Sequence, residues 1–509
     1  MAESRKRNTI KNFVFSLSSY ILNMGLSFAT RTVFIYCLTT EYLGVSGLFT
    51  NILSLLSLAE LGAGGAFVSL LYKPIAEGDE QKLAVIMKTF KKVYFFMALF
   101  VGAVGLSLTP FLKYIIAENS IEKLPLIYIL FILNSVVAYV CAAEKALVKA
   151  NQKMYVITTI TQVASIVQYA GQIVVLLLTH NYILFLLVQI ICTMAGNIYV
   201  SFYSKKKYPY LSRKAEKMDK ETKRDVIQKI RGGFCVHAGY VIASGTDSIV
   251  ISHFLSLTVL GIYSNYLLII GILQKLVMMI FDSVRASASN FAVSSDPEEN
   301  YAFFKKMNFL IMMLMGFITT CLIVLFNPFI RLWAGSDYLL DFPLVILASL
   351  INFVGWHGIK LPMAIYRDAL GLYYKDRYIA LLEGILNIVI SVVLVRIIGL
   401  AGVFLGTIIS SVCTTVSGSY LIFKYCFKKS SWYYWRSLLT YLVVISGVAV
   451  GAYFLVGLVT STGWLSFILK TAICVVAVAA AYVLIFHRRE EFRYYLDLIK
   501  GIGRRKKKS

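Results

Sequence analysis

Arg31 and Glu60 lie inside apolar runs on either side of a short polar break, Thr39-Thr40-Glu41-Tyr42. Asp247, late in one later run, and Lys275, deep in the next, repeat that arrangement. Runs that are apolar nearly all round face lipid, and a charge inside one is costly, so each such residue is a candidate for a structural ion pair or for a transport path. Two further cations, Arg285 and Lys360, sit in or near the ends of such runs, where a side chain directed toward water is the competing reading. Glu383 and Asn387 are spaced i, i+4, which puts their oxygens on one helix face, and Thr407 follows on the next run. A helix-end acid and an interhelical amide hydrogen bond account for the same pattern. The histidines at 180, 237, 253, 357 and 487 show no metal-ligand spacing, so no metal is expected.

The elements that must position these residues are membrane helices. The 509-residue chain is 59% hydrophobic and 15% charged, with a mean hydropathy of +0.74, whereas a soluble chain carries about 25% charge. Long apolar runs, without the weak alternation of barrel strands, make it an all-α polytopic membrane protein. At about 20 apolar residues per crossing, about fourteen transmembrane helices are expected. They fall at 13–38, 43–72, 92–112, 125–148, 154–178, 182–204, 232–254, 259–285, 307–330, 342–366, 376–398, 402–425, 438–459 and 465–487. The first run is too long for a cleaved signal peptide and is expected to be retained as a span.

Most of the 50 basic residues fall on one set of loops: Arg5-Lys6-Arg7, Lys91-Lys92, Lys205 to Lys207, the stretch 213–231, Lys428-Lys429 and Arg504 to Lys508. The positive-inside rule then places both termini and the larger loops in the cytoplasm. The net charge of +24 is thereby assigned to anionic lipid head groups, with no nucleic acid required. The aromatic run Trp432 to Trp435 is expected at the same interface. Eight cysteines, mostly inside apolar runs and without CxxC spacing, read as small core residues. No P-loop, HExxH or GxSxG motif is present, and the outer loops are too short for a catalytic domain, so the chain is not expected to be an enzyme.

An internal repeat organises the spans. The segment from Phe34 to Val45, closing helix one and opening helix two, lines up with Ile251 to Ile262, which closes helix seven and opens helix eight. Both carry Leu-Gly and a β-branched residue just after the turn. Six helices per unit gives two units of the same orientation. The expected organisation is 1–204 (helices 1–6), a cytoplasmic linker at 205–231, 232–425 (helices 7–12), and 426–509 (two further helices and a basic tail). Within this register Arg31 falls next to the position matching Asp247, and Glu60 near that matching Lys275, so corresponding sites carry opposite signs.

The run EYLGVSGLFTNILSLLSLAELGAGGA, preceded by RTVFIY and a basic N-terminus, resembles the Wzx-type polysaccharide flippases, relatives of the lipid II flippase and of the multidrug antiporters of the MATE fold. The likeness is most specific over 31–75 and weaker at 247–265 and 399–410. It implies two six-helix lobes in a V-shaped, MATE-like arrangement across a cavity, with two additional C-terminal helices. It also implies a polyprenyl (undecaprenyl) diphosphate-linked oligosaccharide as substrate, translocated by alternating access across a bacterial cytoplasmic membrane for capsule, exopolysaccharide or O-antigen-type glycans. A diphosphate needs Arg or Lys partners in a poorly solvated cavity. Arg31, Lys275, Arg285 and Lys360 are the candidate cations, with Glu60 and Asp247 as cavity acids or ion-pair partners. By similarity to the lipid II flippases, Asp247, Glu383, Asn387 and Thr407 form a candidate site for a coupling Na+ or H+. No other cofactor is implied. Membrane lipids, and a polymerase and glycosyltransferases of the same pathway, are the implied partners of a monomeric transporter. A cation-coupled drug antiporter is the alternative reading.

Overall fold

The computed structural model describes residues 2–57, 63–116, 121–212, 224, 241, 245–355, 358–370, 372 and 378–506. The described residues are nearly all helical and contain no strand. In lipid every backbone polar group must be satisfied within its own segment, and a helix does this without a partner. Ten helical stretches among the described residues are long and apolar enough to cross a membrane. Each coincides with one of the expected fourteen. The other four expected spans are differently represented. The run 13–38 lies in helix α1 (Ala2–Cys37) but for its last residue, and 43–72 takes in most of α2 (Thr40–Leu56), the undescribed 58–62 and most of α3 (Ala63–Glu77). Much of 232–254 lies outside the described residues, while 342–366 is a broken helix.

The chain divides into two compact units, Met1–Gly261 and Ile262–Ser509. Unit 1 continues with α4 (Glu80–Leu108), α5 (Leu124–Tyr139), α6 (Ala142–Ala150), α7 (Met154–Thr179) and α8 (Tyr182–Lys207). It closes with the helical stretch 245–254 and the first turn of α9 (Leu257–Ser294). Unit 2 carries α9 onward, with α10 (Pro297–Trp333), α11 (Phe342–Val354), α12 (Leu361–Ala369) and α13 (Ile379–Ile398). Then come α14 (Leu400–Ile422), continued by a π-helical turn Phe423–Phe427, α15 (Trp432–Gly457), α16 (Trp464–Phe486) and the terminal α17 (Glu490–Lys506).

The repeat read from the Leu-Gly motif is a physical contact inside unit 1. A Cβ on Gly44 would stand 2.1 Å from the Leu257 carbonyl oxygen, and one on Gly261 would stand 2.2 Å from that of Thr40. Thr40 begins α2 and Leu257 begins α9, so each glycine packs against the other segment's first turn. The reciprocity explains why glycine recurs at these matched positions: only a residue without Cβ lets two helix backbones approach so closely. Matched caps recur as well. Asp79 accepts from Lys82 N at the start of α4, and Asp296 accepts from Glu298 N and Glu299 N at the start of α10.

Among the described residues, each unit contains a helix broken partway along its length. In unit 1, α5 ends at Tyr139 and α6 resumes at Ala142. In unit 2, α11 ends at Val354 and α12 resumes at Leu361. The second break is tight, because a Cβ on Gly358 would meet the Phe353 carbonyl oxygen at 1.6 Å. Ile359 N donates to that same carbonyl at 3.0 Å. An aromatic cluster fixes α12 beyond the break. Phe304, Tyr366, Phe423 and Phe427 pack with ring centroids 5.0 to 5.7 Å apart across several pairs. Tyr434 Oη donates to Ile359 O at 2.7 Å and Tyr366 Oη to Asn300 O at 3.0 Å, so these buried hydroxyls are satisfied by backbone carbonyls near the break.

Candidate functional site

A polar grouping of the described residues in unit 2 lies where α12, α13 and α14 meet. Close packing of α13 on α14 begins at their turn, where Gly399 has φ +59 and ψ −139, a conformation open to glycine. Two further glycines keep the helices together: a Cβ on Gly402 would stand 2.3 Å from the Leu394 carbonyl carbon, and one on Gly406 2.2 Å from Ser391 Oγ. Small residues at such a contact also let short polar side chains reach across. Asn387 Nδ2 donates to Thr407 Oγ1 at 3.0 Å, and Thr407 Oγ1 donates in turn to Val403 O at 3.2 Å.

One turn earlier on α13, Glu383 gathers three donors. Its Oε1 takes the Lys360 ammonium in an ion pair and the Ser411 hydroxyl at 2.9 Å; its Oε2 takes the Thr414 hydroxyl at 3.1 Å. The Lys360 side chain is 9% exposed and that of Glu383 12%. Buried ions are tolerated when each is paired and its remaining valences are hydrogen-bonded. Lys360 is also the N-cap residue of α12. A helix N-terminus carries partial positive charge, so an ammonium there is locally unfavourable and depends on the carboxylate opposite. The pair forms one wall of a cleft lined also by Arg367, Thr415 and apolar side chains of α12 and α14. Chemically, a carboxylate with two hydroxyls is a hard-oxygen donor set suited to a monovalent cation or a proton. In the structure Lys360 Nζ is the cation paired with this carboxylate.

The candidate residues therefore resolve into separate places. Lys360 and Glu383, assigned above to different roles, are partners. Asn387 and Thr407 pair with each other, a turn away from the Glu383 carboxylate. Lys275 is exposed on α9. Arg31 is half-buried on α1, within electrostatic reach of the buried Tyr182 hydroxyl. Tyr182 packs against Phe34 at 5.4 Å, Tyr42 at 5.1 Å and Phe185 at 5.7 Å, so Arg31 borders an aromatic cluster of unit 1. Asp247 is half-buried on the stretch 245–254. Beside it, Asn51 Nδ2 donates to Ser248 Oγ at 2.6 Å, and Gly245 lies against Leu55, so α2 packs directly on this stretch. Glu60 lies outside the described residues, as does the Arg285 side chain.

Three participants were not read from the sequence. Ser411 and Thr414 belong to a Ser/Thr-rich face of α14 that includes Ser410 and Thr415, and their three-to-four-residue spacing was the available signal. In unit 1, Lys91 Nζ meets Glu144 Oε1 at 2.9 Å, with the Glu144 side chain only 5% exposed. Glu144 is a lone acid near the end of an apolar run, the kind of residue singled out elsewhere in the chain.

Among the described residues, helices apolar enough to span a membrane, an interrupted helix in each unit and a lysine–glutamate pair beside each interruption make up a polytopic all-helical fold. Comparison with solved structures bears on this directly. The lipid II flippase MurJ, in an inward closed conformation, aligns with TM-score 0.65 at 15% identity, covering 96% of this chain and 100% of that one. An inward-facing multidrug resistance MATE family transporter of the MOP superfamily aligns with TM-score 0.63 at 11% identity, covering 80% and 96%. A point mutant of the Vibrio cholerae MATE transporter VcmN gives 0.57 at 12%, covering 85% and 100%. No curated protein matches the chain in sequence. The family of polysaccharide biosynthesis proteins matches it over residues 9–285, more than half its length. The chain belongs to that family.

Proposed function

We propose that the chain flips a polyprenyl-diphosphate-linked oligosaccharide across the bacterial cytoplasmic membrane by alternating access, supplying capsule, exopolysaccharide or O-antigen-type glycan synthesis. Both termini face the cytoplasm in this reading, and 1–204 and 232–425 act as the two six-helix lobes. The observation that carries it is the buried Lys360–Glu383 pair with its two hydroxyl donors. A diphosphate head group needs cations in a poorly solvated path. Lys360 is such a cation, held in reserve by a carboxylate. When Na+ or H+ arrives at Glu383, the carboxylate no longer needs the ammonium, and Lys360 is released toward the phosphate. Arg31, Lys275 and Arg285 supply further positive charge along the path, and Asp247 and Glu60 balance it. Asn387 and Thr407 brace α13 against α14 beside the exchange.

The test is translocation of undecaprenyl-diphosphate-linked oligosaccharide by the purified protein in liposomes. Arg31→Ala and Lys360→Gln are expected to abolish translocation while leaving membrane insertion intact. Unchanged translocation in both would overturn the assignment of these cations. A drug antiporter of the same fold would instead move organic cations against a Na+ or H+ gradient and leave the glycan lipid where it was.

A further inference from the structure

A second basic site lies in unit 2, at the end of the bundle where α10 and α15 begin and α16 runs into α17. Lys305 of α10, Arg436 of α15 and Arg489 between α16 and α17 line one cleft of about 250 Å³, with Tyr301 and Tyr441 as its aromatic walls. Glu491 is the acid on its rim, and no ion pair within it is formed among the described residues. Three cations therefore face one carboxylate. Arg489 is held in place by its own stacking, over the Tyr441 ring at 5.6 Å and the Phe486 ring at 5.2 Å. The helix that follows is pinned across α10: Lys306 Nζ lies 4.1 Å from the Tyr494 ring centroid, and Tyr495 Oη donates to Lys306 O at 3.2 Å.

Asn308 lines the same cleft and is 5% exposed, yet its Oδ1 has no hydrogen-bond partner. A buried amide oxygen left unpaired is costly, and this one needs a donor rather than another acceptor. The cations call for a phosphate; the amide calls for a hydroxyl. Exposed Tyr433 lines the cleft, and Lys429, paired with Glu298 at 2.9 Å, lies over the Tyr301 ring at 4.9 Å, a mixture typical of the membrane–water interface.

We propose that this cleft binds the head group of an anionic glycerophospholipid bearing a free polyol, phosphatidylglycerol in particular, with its phosphate on Lys305, Arg436 and Arg489 and its glycerol hydroxyl on Asn308. The site is separate from the Lys360–Glu383 cleft, so it stands whether or not the transport mechanism above is right.

The experiment measures binding of dioctanoyl phosphatidylglycerol, phosphatidic acid and phosphatidylcholine to the full-length protein in neutral detergent by native mass spectrometry, with inorganic phosphate as a further arm. Phosphatidylglycerol is expected to bind most tightly. Each charge removed in Lys305→Gln and Arg436→Gln, both at exposed side chains that leave the fold intact, should weaken it roughly fivefold. Asn308→Leu should erase the preference for phosphatidylglycerol over phosphatidic acid while leaving that for phosphatidic acid over phosphatidylcholine. Equal binding of all three lipids, or phosphatidylglycerol binding unchanged in the Lys305→Gln/Arg436→Gln protein, would overturn the proposal. So would tight binding of inorganic phosphate without lipid selectivity, which would make the ligand a soluble phosphate.

Discussion

The short helices that follow the two breaks, α6 in unit 1 and α12 in unit 2, are each nine residues long, and each brings one member of a lysine–glutamate pair to a neighbouring helix. The pairs are built in opposite senses. In unit 1 the acid, Glu144, stands in the first turn of α6, where the helix dipole favours it, and its partner Lys91 is 38% exposed. In unit 2 the lysine caps α12, where the dipole opposes it, and both partners are buried. Glu383 then recruits Ser411 and Thr414, whereas Glu144 leaves its Oε2 without a partner. The same interruption thus serves two ends. The unit 1 pair is a clamp between α4 and α6, consistent with its local helix; the unit 2 pair is locally opposed, and its carboxylate takes three donors.

Substitutions that remove one partner separate the two pairs most widely. Glu383→Leu leaves a buried ammonium at a helix N-terminus and should destabilise unit 2 by about 3–5 kcal/mol, measured by thermal denaturation in detergent. Glu144→Gln should cost less, about 1–3 kcal/mol, because Lys91 can turn to water and only a charged hydrogen bond is lost. Equal losses would remove the distinction. A smaller effect probes what the units share. Asp79→Ala and Asp296→Ala delete matched caps and should each cost about 1 kcal/mol. Divergent values would show that α4 and α10, despite their common position in the repeat, begin under different constraints.

Much of this architecture was legible before any coordinates. Apolar runs are long in lipid and local in cause, so ten spans could be placed from hydropathy alone. The Leu-Gly repeat was legible because glycine at a helix crossing leaves its mark at fixed positions, Gly44 and Gly261. The site was only half legible. Lys360, Glu383, Asn387 and Thr407 announce themselves as polar residues in apolar surroundings, but their pairing does not follow from spacing. It depends on where α12 lies against α13, and beside its start Gly358 packs on the Phe353 carbonyl while Tyr434, from a helix much later in the chain, donates to Ile359 O. For Ser411 and Thr414 the sequence offered only their spacing on α14. In helices such hydroxyls ordinarily bond to the preceding turn's carbonyls, as Thr415 does here to Ser411 O, so the reach of Ser411 and Thr414 toward Glu383 has no signature of its own.

The account turns on the Lys360–Glu383 pair being exchanged during transport while the Lys91–Glu144 pair is not. Replacing each pair by apolar residues of similar size, Lys360→Met/Glu383→Leu and Lys91→Met/Glu144→Leu, leaves no unpaired charge and should keep both proteins folded. Translocation of the lipid-linked oligosaccharide in liposomes should then vanish in the first protein and persist in the second. Translocation surviving in the first would contradict the account.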